Sequence, residues 1–459
     1  MKEEKKHSDS PSEGKDAWSV DQLDRLHEIA QQVLAGAKAA GADGAEVSAS
    51  NYLGISATVR MGEVETLEYS QDRGLNLTVY FGQRKGSASS ADLSELSLKR
   101  SLDQACTIAR VTQEDACHGL ADVDLMATEQ PDLDLWSPWD ISPEEAIELA
   151  TETEAIALAA DDRIDNSEGA STASGSAVSL YANSHGFVGQ RRSTRHSLSC
   201  LVLARDGDSM QRDYWYDTRR HVGDLADAAT VGRKAAQRAA ARCGARPIAT
   251  TRAPVLFVPE TARTLLGHLV SAISGGNLYR GSSFLRDQLD QQLFPDFVTI
   301  EELPLLARGL RSSSFDGEGV ACQQRKIVAD GVLRGFVLGS YSARKLGLTT
   351  TGNAGGVHNL TLRPGARSFD DLIKDMGRGL IVTEMMGQGV SVTTGDYSRG
   401  AAGFWVENGE IEHAVEGVTI AGNLKDIFAG VQALGSDLDE RAGTRCGSIL
   451  VGDLTIAGS

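Results

Sequence analysis

"GISATVRMGEVETLEYSQDRGLNLTVYF" (residues 54–81) decides the fold class of the first half of the chain. Both ends alternate apolar and polar residues with the period of a strand. Ile55, Ala57 and Val59 share one face, and Leu75, Leu77, Val79 and Phe81 share another. "MGEVE" and "QDRG" have the composition of turns, so the segment reads as an antiparallel meander. Upstream the period becomes helical, through Val20, Leu23, Leu26, Ala30, Val33 and Ala37. Ser19, with Gln22 three residues on, has the spacing of a capping box opening that helix. Residues 1–18 are charged, lack the apolar core of a signal peptide and are expected to form a disordered tail.

Downstream, a second helix is expected from Leu93 to Ala109, followed by a loop over 115–140. Ser142, Pro143 and Glu145 supply a cap, a first-turn proline and a capping-box carboxylate for a third helix. Strands fill about 175–205, and an Ala-rich helix runs from Asp224 to Arg242. "CGARPIATTRAP" (243–254) interrupts the pattern. A chain of 459 residues exceeds a single core. It is therefore divided into an α+β domain over 19–246 and a glycine-rich, mostly antiparallel β domain with a few helices over 247–459. In the second part, Asp330-Gly331 and Asn408-Gly409 each sit between apolar runs, the signature of type I′ hairpins. The overall class is α+β.

Composition narrows the function. A net charge of −18 gives no basic footprint for nucleic acid and disfavours an anionic membrane surface. The six cysteines are scattered without a C-x-x-C pair, as befits free thiols in a reducing cytoplasm. No apolar run approaches the roughly 20 residues of a membrane span.

"TLLGHLVSAISGG" (264–276) raises the question of a metal. Ala262, Leu265, Leu266, Leu269 and Ile273 form an apolar stripe, His268 sits on its shoulder, and Gly275-Gly276 read as a helix stop. A zinc peptidase needs two imidazoles and a carboxylate, and no second histidine or acid lies within a turn of His268. By its local context His268 is a half-buried structural residue.

Many segments together resemble one family. They include "NSHGFVGQRRSTRHS" (183–197), "GHLVSAISGGNLYRGSSFL" (267–285), "GNAGGVHN" (352–359), "MMGQGVSVTTGDYSRGAAGFWVENGEI" (385–411) and "CGSIL" (446–450). The chain resembles the TldE (PmbA) branch of the TldD/TldE peptidase family, once called modulators of DNA gyrase. The resemblance implies a soluble two-chain zinc metalloprotease acting on unfolded or small peptides, as in precursor maturation and antitoxin turnover. TldD carries H-E-x-x-x-H on a helix and a cysteine near its C-terminus. Those motif positions fall here on Gly267, His268, Leu269, Val270, Ser271 and Ala272, and Cys446 lies in the cysteine segment. The implied role is that of the non-catalytic partner in a heterodimer, with no cofactor in this chain and zinc in the TldD-like subunit. Pairing of the chain with itself when alone stays open. The rivals are a stand-alone chaperone-like binder of unfolded peptides and an atypical homodimeric peptidase using His268 with Cys446.

Two glycine-rich segments, 350–359 and 393–404, allow close backbone approach and are the candidates for the substrate or partner face. They supply Gly355, Gly356, His358, Asp396, Tyr397 and Arg399. Asp396 and Arg399 are expected to form an ion pair. Ser342 and Lys345 have S-x-x-K spacing without the companion motifs, and "GNAGG" lacks the end of a phosphate loop. Cys117-His118 has no partner pair, and "RRSTRH" (191–196) reads as a solvated or ion-paired face.

Overall fold

The computed structural model describes residues 11–207 and 209–458. Six strands of the first half build one antiparallel sheet in the order β3-β2-β1-β4-β5-β6. They are β1 (Gly44–Arg60), β2 (Glu63–Phe81), β3 (Arg84–Ser90), β4 (Ile164–Asn183), β5 (Val188–Asp206) and β6 (Ser209–Arg219). The expected alternation is what packs it. Val47 on β1 and Leu75, Leu77 and Val79 on β2 are buried against α1 (Pro11–Ala39) and α2 (Glu95–Val111). Toward the other edge, α3 (Pro143–Leu158) and α4 (Ala228–Ala241) cover Leu198, Cys200 and Val202 on β5.

Local signals held where the chain itself supplies the partners. Ser142 Oγ accepts from Glu145 N at 3.1 Å, and the Glu145 carboxylate accepts from Ser142 N at 2.8 Å. Ser19, in contrast, does not open α1. The helix begins at Pro11, and Ser19 is buried inside it, donating to Asp16 O at 2.8 Å. The cause is tertiary: Trp136 Nε1 donates to Asp16 at 2.6 Å, and Lys15 donates to Trp139 O at 2.6 Å. The expected tail therefore fails over residues 11–18, and its first ten residues lie outside the described ones. "QDRG" is not a turn either. Gln71–Gly74 pair with Leu53–Ser50 in an unbroken ladder that outweighs their turn propensity. The Ala-rich helix starts at Ala228 behind an Asp227 cap, later than Asp224.

In the second half, one sheet runs β14-β13-β12-β7-β17-β15, and an added β14–β17 pairing closes five of these strands on themselves. Its strands are β7 (Thr251–Phe257), β12 (Gly379–Met386), β13 (Asp396–Glu407), β14 (Glu410–Asn423), β15 (Val431–Leu434) and β17 (Ile449–Ala457). A smaller sheet runs β10-β9-β8-β11-β16, from β8 (Ile300–Glu302), β9 (Arg325–Ala329), β10 (Val332–Leu333), β11 (Leu360–Leu362) and β16 (Thr444–Arg445). Only β7–β12 and β11–β16 pair in parallel among these described ladders. Both I′ turns are present: φ is 50° and 77° at Asp330-Gly331, and 53° and 75° at Asn408-Gly409. Five helices complete this half: α5 (Pro259–Ala272), α6 (Gly275–Tyr279), α7 (Ser340–Leu346), α8 (Phe369–Met376) and α9 (Leu424–Ala429). The fold is α+β. No helix among the described residues is long and apolar enough to cross a membrane.

Candidate functional site

The central strand β7 leads directly into α5, whose first helical position is Pro259. The apolar stripe of α5 is the buried one: Ala262, Leu265, Leu266, Leu269 and Ile273 face the core. The helix ends at Ala272, so Gly275-Gly276 are not its stop. They open α6 instead, and Gly275 is small because a Cβ there would stand 2.2 Å from Ser342 Oγ on α7.

His268 is half-buried, with its ring edge-on to Tyr397 at 6.0 Å and its Nε2 without a hydrogen-bond partner. Burial, then the Arg399 charge, pushes its pKa below the usual histidine value, so the ring is neutral at neutral pH. Gly267 is solvent-exposed, whereas Ala272 is fully buried, with its carbonyl accepting from Ser283 Oγ at 2.6 Å. Cys446 is buried with Sγ 3.5 Å from Pro259 O, and burial pushes its thiol up to about 12. Pro259 opens α5 and His268 follows nine positions later, about 13 Å of helix axis. One chain thus does not bring His268 and Cys446 together. Among the described residues, no three His, Cys, Asp or Glu side chains are placed to hold a metal ion. The donor set does not fit catalytic zinc, which takes three protein ligands and a water. His268→Ala is expected to shift stability by less than about 1 kcal/mol, because the lost ring packing is offset by removal of an unpartnered buried nitrogen; a denaturant melt measures it.

The glycine-loop candidates separate. Gly355 and Gly356 have φ of 99° and 109° with open space where a Cβ would be, as a surface turn requires. His358 turns inward: its backbone N–H and Nδ1 face the buried Glu302 carboxylate at 2.8 and 3.1 Å. Glu302 also accepts from Arg325 at 2.9 Å and Asn353 at 2.6 Å, so His358 belongs to a cluster that pins the loop to β8. Tyr397 is buried. Asp396 and Arg399 do not pair, since residues three apart on a strand point to opposite faces. Asp396 accepts from Thr394 Oγ1 at 2.6 Å, while Arg399 Nε donates to Gly387 O at 3.1 Å.

A larger feature had no signature in the sequence. A cleft of about 1110 Å³ opens between α4 with β6 on one side and the start of α5, the β13–β14 hairpin and residues 437–441 on the other. Trp215, Phe369, Phe404 and Ile411 line it. Its charged wall is a network: Arg441 donates to Asp439 and Glu260 at 2.9 Å each, and Arg238 pairs with Asp213 at 3.1 Å. A second hollow of about 340 Å³ continues past Thr261 and Thr264 to Met385 and Arg399, one helical turn from His268. These residues come from positions far apart in sequence, so no spacing announces them.

Comparison with known proteins places this architecture. The descriptions of PmbA/TldA metallopeptidase domain 1, central domain and C-terminal domain match residues 45–109, 136–242 and 250–458. The chain belongs to the PmbA/TldD metallopeptidase family. It is 51% identical over 416 residues to "Metalloprotease PmbA" of Escherichia coli O157:H7, covering 91% of this chain and 92% of that one. It is 43% identical to a PmbA homologue of Haemophilus influenzae, over 98% of this chain and all of that one. A crystal structure described as a modulator of DNA gyrase, from Bacteroides thetaiotaomicron, superposes with a TM-score of 0.90 at 28% identity, over 95% of this chain and 99% of that one. TldE of Thermococcus kodakarensis shares the fold, with a TM-score of 0.84 at 20% identity over 94% of this chain and all of that one.

Proposed function

We propose that this chain is the non-catalytic subunit of a two-chain zinc metalloprotease, completing the enclosure around a TldD-like subunit that holds the ion. Family membership supports the peptidase setting. The observation that carries the division of labour is the state of α5, where the two histidine positions are an exposed Gly267 and a core Ala272. The substrates are extended, unfolded or small peptides in the cytoplasm, held by main-chain hydrogen bonds. Glycine-rich surface turns such as Gly355-Gly356 and the apolar cleft at the α5 start suit such chains.

The test is purification of the chain alone and together with the H-E-x-x-x-H homologue of its own genome. Metal content and cleavage of a denatured casein are then measured. Alone, the chain should hold no stoichiometric zinc and cleave nothing; together, cleavage should appear and vanish with chelator. Chelator-sensitive cleavage by the isolated chain would overturn the reading.

A further inference from the structure

The β1–β2 hairpin extends well past the end of β3. β3 pairs with β2 only from Leu75 to Phe81, so residues 63–74 leave the outer edge of β2 without a ladder partner among the described residues. Val64, Leu67 and Tyr69 stand opposite Val59, Ala57 and Ile55. The β1 partners Ala57 and Ile55 are covered by Trp139, Ile141 and Ala146. Val64, Leu67 and Tyr69 are not: they are 49%, 41% and 69% exposed. One face of the core thus continues onto an open apolar ledge.

This ledge is built rigidly. The turn at its tip has φ of 52° at Met61 and 78° at Gly62. Both turn N–H groups donate to the Glu154 carboxylate, at 2.9 and 2.8 Å, and Glu154 is 1% exposed within α3. A buried carboxylate spent on a hairpin tip fixes the edge before any partner arrives, which lowers the ordering cost of adding a strand. Unpaired edges are normally blunted by proline, lysine or a covering element. "EVETLEYSQDRG" (63–74) has neither proline nor lysine, and four acids stand against one arginine.

That charge chooses the occupant. A second copy would lay a net −3 segment (one Arg, four Asp or Glu) against another, in a chain already at −18. We infer that the outer edge of β2 receives a strand of a different chain, apolar on one face and rich in Lys or Arg. Resting on the function proposed above, that chain is the catalytic subunit.

The double substitution Leu67→Asp/Tyr69→Asp tests it, because both side chains are exposed and the isolated variant should melt like the wild type. Affinity for the H-E-x-x-x-H subunit should fall about 100-fold, the loss of two central apolar anchors. Added salt should weaken the wild-type complex, and amides of 63–74 should gain protection from hydrogen exchange on binding. A complex of unchanged affinity with these amides still exchanging overturns the edge assignment alone. A variant that loses only self-association overturns it too. A wild-type chain that forms no complex with that subunit overturns both this inference and the proposed function.

Discussion

Asp439→Ala is expected to lower stability by about 3–5 kcal/mol, the effect of removing one partner from a buried ionic network. Asp439 accepts from Arg441 Nε at 2.9 Å and is paired with Arg263. Arg441 in turn donates to Tyr216 O at 3.0 Å, and its guanidinium lies 3.7 Å from the Trp215 ring centre, so the network joins residues 437–441 to β6. Without the carboxylate, two largely buried guanidinium groups, with side chains 18% and 10% exposed, lose their shared counter-charge, and Arg441 keeps only Glu260. At about 2–4 °C per kcal/mol for a unit of roughly 200 residues, the melting temperature should drop by about 6–20 °C. The pH dependence has a definite sign. Burial raises the Asp439 pKa, but the Arg441 hydrogen bond and the Arg263 charge outweigh it, leaving the carboxyl below its usual value. A depressed folded-state pKa contributes stability above the unfolded value of about 3.9, lost as pH falls through the folded value. The wild type should therefore lose stability below about pH 4 more steeply than Asp439→Ala. Denaturant melts between pH 7 and pH 3 measure this, and equal acid sensitivity would remove Asp439 from the account.

What was legible in the sequence is what neighbouring residues decide among themselves. The Ser142–Glu145 box, the Asp330-Gly331 and Asn408-Gly409 turns and the apolar stripe of α5 depend on spacings of a few residues, and each appeared as read. The misreadings lie where a distant segment intervenes. Ser19 lost its capping role because Trp136 and Trp139 hold the preceding residues in the helix. "QDRG" stayed extended because β1 pairs with it throughout. Gly275 answers to a serine sixty-seven positions away rather than to its own helix end. The site follows the same division. The absence of H-E-x-x-x-H is a matter of residue types, but the cleft wall draws on 213, 215, 238, 260 and 439–441, which only the fold assembles.

Restoring the missing motif should not restore a metal site. In the triple variant Gly267→His/His268→Glu/Ala272→His, positions 267 and 272 lie five residues apart, about 140° around the helix. Gly267 faces solvent with nothing within 4 Å of a built Cβ, so histidine fits there and removes a helix-interior glycine, a gain of a few tenths of a kcal/mol. Ala272 is 0% exposed, packed in the same cluster as Leu269, Ile273 and Phe284. An imidazole at that position must displace core side chains and bury a polar ring, a loss of about 3 kcal/mol or more. The single Gly267→His should thus melt at or slightly above the wild type, while Ala272→His and the triple variant melt well below it. Zinc titration of the triple variant should give no tight site, because an imidazole at position 272 starts inside the core and Cys446 lies at the far end of the helix, against Pro259 O. Tight, chelator-reversible zinc in a stably folded triple variant would mean that the core around Ala272 repacks freely. The bar to a metal at α5 would then rest on three side chains alone; the burial of Ala272 argues that it is also built into the packing of the helix against its sheet.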